Sequence, residues 1–195
     1  MGTRWPGEER ERRRESVKRT LFISSVGQRL DIMREKSSGK AQKAEESALR
    51  LLAQRDHSRE EIRRKLQARA FTPEEIEKAL EWLEERKILD DLRYAQKLAI
   101  FLTREKLLGP QRVSQKLFQK GIPAELTREA IEKADELLAA GERLRIAIRM
   151  KLKGRSLEQI FPGERTKVAR YLRQRGFSWE DIWEVFQETG GLTEE

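Results

Sequence analysis

The chain has 195 residues, 39% of them charged and 37% hydrophobic, with a formal net charge of +8 and no cysteine. Without cysteine, disulfides, thiolate catalysis and cysteine-ligated zinc are excluded. No apolar run approaches the roughly 18–20 residues that span a bilayer, and the charged stretch at residues 8–14 lacks the apolar centre of a signal peptide, so a cytoplasmic protein is expected.

Residues 1–17 read as a flexible charged arm. Residues 20–33 differ: Leu21, Phe22 and Ile23 lead to Gly27 and then to Leu30, Ile32 and Met33. Apolar alternation around a glycine reads as a small hairpin; an amphipathic segment that docks on a partner is equally open. Residues 37–39 (Ser-Ser-Gly) read as a linker. Residues 1–40 are therefore an N-terminal extension, partly flexible.

From about residue 41 the pattern is helical. Ala44, Ala48, Leu51 and Leu52 form one apolar face. Ser58 followed three residues later by Glu61 spells a capping box, with Ile62 and Leu66 inward on the helix it starts. Thr72, Pro73 and Glu75 fit the N-cap, N1 and N3 positions of the next helix, whose buried stripe is Ile76, Leu80 and Leu83. Asp90 or Asp91 can cap a helix carrying Tyr94, Ala95, Leu98, Phe101 and Leu102. Gly109 and Pro110 break the chain and open a helix with Val113 and Leu117 inward; Gly121 stops it, and Pro123 opens another with Leu126, Ala130, Ile131 and Ala134. From about Glu142 the stripe Leu144, Ile148, Leu152 appears, followed by a longer loop holding Gly154, Pro162 and Gly163. Val168 and Leu172 come next, then a stop at Gly176, and a last helix capped by Ser178 and Asp181 that carries Trp179, Ile182, Trp183, Val185 and Phe186.

These elements repeat. Ile62, Leu66 and Phe71 recur as Val113, Leu117 and Ile122 after 51 residues, and as Val168, Leu172 and Phe177 after a further 55. Arg69, Lys120 and Arg175 travel with them, as do Ala70, Gly121 and Gly176, where a left-handed C-cap favours glycine. The expected fold is all-α: three tandem three-helix repeats, at 41–90, 91–140 and 141–190, forming an elongated, curved modular array. Such arrays offer surface to a partner more often than a catalytic pocket.

Catalytic signatures are missing. There is no Gly-x-x-x-x-Gly-Lys-Ser/Thr loop and no Gly-x-Gly-x-x-Gly. His57 is the only histidine, a poor metal site by itself, and reads as a surface residue near a helix start. No cofactor, metal or small-molecule substrate is expected, and the chain is not expected to be an enzyme.

The candidate functional residues are cations. Arg112, Lys116 and Lys120 are spaced four apart, as are Arg145, Arg149 and Lys153; Arg63, Arg64 and Lys65 add a cluster, Arg170 and Arg173 another. Rows of this kind can follow a phosphate backbone, or they can be solvated helix faces. Arg69, Lys120 and Arg175, each in a last helical turn, suit the helix dipole and are assigned mainly to structure. Residues 143–175 hold 11 bases against two acids, whereas residues 176–195 hold six acids and no base. A basic block beside an acidic tail points to a polyanion or an acidic protein face as partner. Tyr94, Phe101, Phe71, Phe177 and Phe186 are expected in the core.

Ile88 through Ala95 (Ile-Leu-Asp-Asp-Leu-Arg-Tyr-Ala), then Gly109-Pro110-Gln111-Arg112-Val113, Leu117 and Lys120-Gly121-Ile122, resemble the RecX family of bacterial regulators. The likeness extends over about residues 44–187 and leaves residues 1–40 outside. It implies tandem three-helix repeats and a protein that binds the RecA recombinase filament and restrains its ATPase, strand-exchange and co-protease activities in DNA repair, recombination and the SOS response. In that setting Asp91 and Tyr94 have structural roles at the junction of the first two repeats, and Ala95, Gly109, Pro110, Leu117 and Gly121 complete the structural motif. Arg63, Arg64, Arg112, Lys116, Arg145, Arg149, Lys153, Arg170 and Arg173 contact acidic RecA surface, or single- or double-stranded DNA. The competing reading is a free-standing basic helical nucleic-acid-binding protein.

Overall fold

The computed structural model describes residues 41–189; the arm, hairpin and linker expected within residues 1–40 lie outside the described residues. The described residues form nine α-helices and no strand: α1 (Ala41–Gln54), α2 (Arg59–Gln67), α3 (Pro73–Glu85), α4 (Asp91–Arg104), α5 (Pro110–Gln119), α6 (Ala124–Leu137), α7 (Ala140–Leu152), α8 (Pro162–Gln174) and α9 (Trp179–Thr189), with a 3₁₀ turn at Leu157–Gln159.

The helix starts follow local chemistry. The Thr72 hydroxyl accepts from the Glu75 amide while the Glu75 carboxylate accepts from the Thr72 amide at 2.8 Å, and Pro73 follows at N1. Ser58 and Glu61 make the same reciprocal pair at 3.1 and 3.3 Å, as do Ser178 and Asp181 at 3.0 and 3.3 Å. Of the two candidates before α4 the cap is Asp90, which accepts from the Arg93 amide at 2.9 Å. Each pair satisfies amides that a helix start otherwise leaves open.

The repeated signature has a single geometric cause. The middle helix of each triplet ends in a left-handed residue: Ala70 at φ 61°, Gly121 at 76° and Gly176 at 89°. One residue further on, the amides of Phe71, Ile122 and Phe177 donate back to the carbonyls of Leu66, Leu117 and Leu172 at 3.2–3.4 Å. The amides of Ala70, Gly121 and Gly176 donate to those of Gln67, Phe118 and Arg173 at 2.8–3.0 Å. This double bond is the Schellman arrangement, which sets an apolar residue beside one five positions earlier.

The chain divides into two compact units. One comprises residues 41–57 and 62–86, and its core is Ala44, Ala48, Leu51, Leu52, Ile62, Leu66, Ile76, Leu80 and Leu83, all buried. The other comprises residues 58–61 and 87–189 and holds two apolar cores. Helices α4–α6 enclose Ala95, Ala99, Leu102, Val113, Leu117, Ile122, Ala130 and Ala134. Helices α7–α9 enclose Leu144, Ile148, Leu152, Val168, Leu172, Phe177, Ile182, Val185 and Phe186.

Three expectations are corrected. Phe101 is 46% exposed, because it lies on the outer side of α4, where the Lys106 ammonium stands 5.4 Å from its ring centroid. His57 is buried, with Nδ1 2.9 Å from the Arg55 carbonyl, because the turn before α2 folds inward. Pro162 and Gly163 belong to the first turn of α8; Leu157 and Ile160 anchor the shorter loop that remains by entering the α7–α9 core.

Candidate partner-binding surface

In the second unit, helix starts dock on left-handed turns. The Gly109 amide donates to the Arg175 carbonyl at 2.9 Å, and the Gln111 amide to the Gly176 carbonyl at 3.2 Å. Pro110, at N1 of α5, has no amide to leave unpaired there. Residues 58–61 dock in similar fashion. The Ser58 hydroxyl donates to the Lys120 carbonyl, and the Lys120 ammonium meets Glu61 Oε1 at 2.8 Å. The Tyr94 hydroxyl donates to Glu61 Oε2 at 3.2 Å, and the Arg59 amide to the Asp91 carboxylate at 2.7 Å. Glu60 packs so closely on Gly121 that an added Cβ would lie 2.4 Å from its side chain. Ala95 and Leu117 are fully buried in the core beneath.

The cations divide into engaged and open. Arg63 grips Glu77 with two bonds, at 2.9 and 3.3 Å. Arg145 is held by Glu188 at 2.6 Å, with Glu142 at 3.9 Å; hydrogen bonding to Glu188 and its charge raise the Arg145 pKa further. Arg173 donates to the Phe177 carbonyl at 2.8 Å and to Gln111 at 3.4 Å. Arg112 reaches the Gln115 side chain from an exposed position, and Arg64 is exposed on α2. Lys116, Arg149, Lys153 and Arg170 make no side-chain hydrogen bond or ion pair with the described residues. The two rows of cations are thus not continuous. Lys120 turns to Glu61 and Arg145 to Glu188, while Lys153 leaves the helical path at φ 52°.

Two features escape sequence reasoning. Tyr171 sits between Lys151, 4.9 Å from its ring centroid, and Arg175, at 5.0 Å. Arg175 also donates to the Tyr171 hydroxyl at 2.6 Å and to the Lys106 carbonyl at 2.7 Å. The i, i+4 spacing of Tyr171 and Arg175 is the one local hint of this cluster. Arg143 is 0% exposed inside the basic block, its Nη1 donating to Asp135 and, at 2.8 Å, to the Leu138 carbonyl. Among the described residues no group of three or more His, Asp or Glu side chains could hold a metal ion, and no helix is long and apolar enough to cross a membrane.

Residues 44–83, 90–131 and 146–186 match, in order, the first, second and third three-helix domains of RecX. The chain is 39% identical over 150 residues to the regulatory protein RecX of Cronobacter sakazakii, covering 72% of this chain and 88% of that protein. It is 37% identical over 147 residues to the regulatory protein RecX of Chlorobaculum tepidum, covering 75% and 88%. The chain belongs to the RecX family. Solved RecX structures share its fold. RecX from Lactobacillus salivarius superposes with a TM-score of 0.63 at 21% identity, over 77% of this chain and 97% of that one. A second regulatory protein RecX gives 0.64 at 22%, over 85% of each chain. The three triplets of helices are thus the tandem three-helix domains of RecX, and the family's named members are regulators.

Proposed function

We propose that this chain is a cytoplasmic regulator that binds the RecA recombinase filament and restrains its ATP hydrolysis, strand exchange and co-protease function. The observation that carries the reading is the ordered match of all three RecX domains. The chain acts by binding and performs no catalysis of its own; ATP hydrolysis belongs to the recombinase. The modules at 41–90, 91–140 and 141–190 let one chain touch the filament at several points, which multiplies weak contacts. Lys116, Arg149, Lys153 and Arg170 are the leading contacts to acidic recombinase surface or DNA, since no described residue pairs with their charges. Arg63, Arg64, Arg112, Arg145 and Arg173 play a lesser part, and the engaged ones among them must exchange a partner to bind.

The test is DNA-dependent ATP hydrolysis by RecA from a matched source, with DNA saturating, while the chain is titrated in. The expected result is a fall in rate at sub-stoichiometric amounts, with none from a denatured control. An unchanged rate up to excess chain overturns the reading. It would favour the alternative of a free-standing nucleic-acid-binding protein, which the open cations also support. That protein would bind DNA tightly without recombinase, with a steep salt dependence.

A further inference from the structure

Helix α9 leaves two tryptophans in solvent, Trp179 at 55% and Trp183 at 53% exposure. At i and i+4 the indoles share one side of the helix, flanking the inward face of Ile182, Val185 and Phe186. Tryptophan combines a large apolar area with a polar handle, and its exposure in pairs is a mark of interaction surfaces. Beside the indoles runs a second exposed stripe, Glu180 and Glu184. The whole stretch from residue 176 to 195 holds six acids and no base.

The chain's own cations already gather at this helix. The Arg173 guanidinium lies 5.6 Å from the Trp179 ring centroid. Arg145 pairs with Glu188 at 2.6 Å, and the charge of Glu184 adds to its attraction. Both contacts come from flanking helices, α8 and α7, and neither hides the indoles.

We propose that the Trp179/Trp183 face of α9 is a docking surface for a basic protein segment. Lys or Arg side chains of that segment pair with Glu180 and Glu184 and stack on the indoles, while an apolar side chain between them covers the tryptophans. The same carboxylates repel nucleic acid, so this surface selects a partner opposite in sign to the one selected by Lys116, Arg149 and Arg170.

The full chain carrying Trp5→Phe and Trp82→Phe reports fluorescence from Trp179 and Trp183 alone. The probes are a helical Leu/Lys peptide, a helical Leu/Glu peptide and a single-stranded oligonucleotide. The Leu/Lys peptide is expected to shift the emission to the blue, saturably and less so in high salt. Its affinity should fall at least ~10-fold in Glu180→Gln/Glu184→Gln, with helicity unchanged. Any one of four results overturns the proposal: no shift with the Leu/Lys peptide, an equal shift with the Leu/Glu peptide or the oligonucleotide, undiminished affinity in the Gln variant, or a concentration-dependent dimer abolished by Trp179→Ser/Trp183→Ser. The last would give the face to a second copy of the chain.

Discussion

Gly109 and Gly176 meet backbone to backbone: a Cβ on Gly109 would lie 2.4 Å from the carbonyl carbon of Gly176, and one on Gly176 would lie 2.3 Å from the Arg112 amide nitrogen. Neither obstacle is the end of a flexible side chain, so neither can swing aside. Gly109 has an ordinary φ of −73°, whereas Gly176 also needs a left-handed backbone. Gly109→Ala therefore isolates the close approach, and Gly176→Ala adds conformational strain. Gly176→Ala is expected to cost ~3 kcal/mol or more and Gly109→Ala somewhat less, read as lowered thermal midpoints by circular dichroism. Midpoints equal to that of the parent chain would show that the contact adds no stability.

Ala70 occupies the same left-handed position without glycine, at φ 61°. A Cβ in that conformation costs about 1–2 kcal/mol, and the extra freedom of glycine in the unfolded chain returns about 0.5–1. Ala70→Gly should therefore stabilise the protein by roughly 0.5–1 kcal/mol. Denaturant midpoints decide the sign, and a loss of stability would mean that Ala70 makes a contact worth more than the strain.

Arg143 is fully enclosed and spends one nitrogen, Nη1, on both Asp135 and the Leu138 carbonyl; its Nε and Nη2 find no partner among the described residues. A buried cation is tolerated through its counter-charge. Asp135→Ala should thus cost about 3 kcal/mol by leaving the guanidinium uncompensated. Arg143→Met combined with Asp135→Asn should stay within about 1 kcal/mol of the parent, since matched removal leaves no lone charge. A double variant as unstable as Asp135→Ala would assign Arg143 a packing role that Met cannot fill.

Reversing Arg112 and Lys116 to Glu tests the α5 surface. Both side chains lie outside the core, Arg112 exposed and Lys116 half-buried, so helicity should hold. Inhibition of recombinase ATP hydrolysis is expected to disappear. Full inhibition by the variant would remove these residues from the contact surface.

The all-α class, most helix starts and the threefold repeat were legible in the residues alone, because these rest on contacts within a few residues. A Ser58–Glu61 capping pair, or a Leu117–Ile122 spacing that closes a left-handed turn, is written in neighbouring letters. The sequence also located the cation-rich segments, since charge is additive along a chain. Which charges remain available depends on how the helices pack. Lys116 and Lys120 look alike as letters four apart, yet Lys120 meets a glutamate 59 positions away and Lys116 does not. Phe101 and Phe186 both sit at apolar helical spacing, but one is 46% exposed and the other is buried, because facing elements distant in sequence determine which side of a helix is covered. Gly109 reads as a chain breaker; folding reveals a contact surface, since its missing side chain matters only when Gly176 arrives against it.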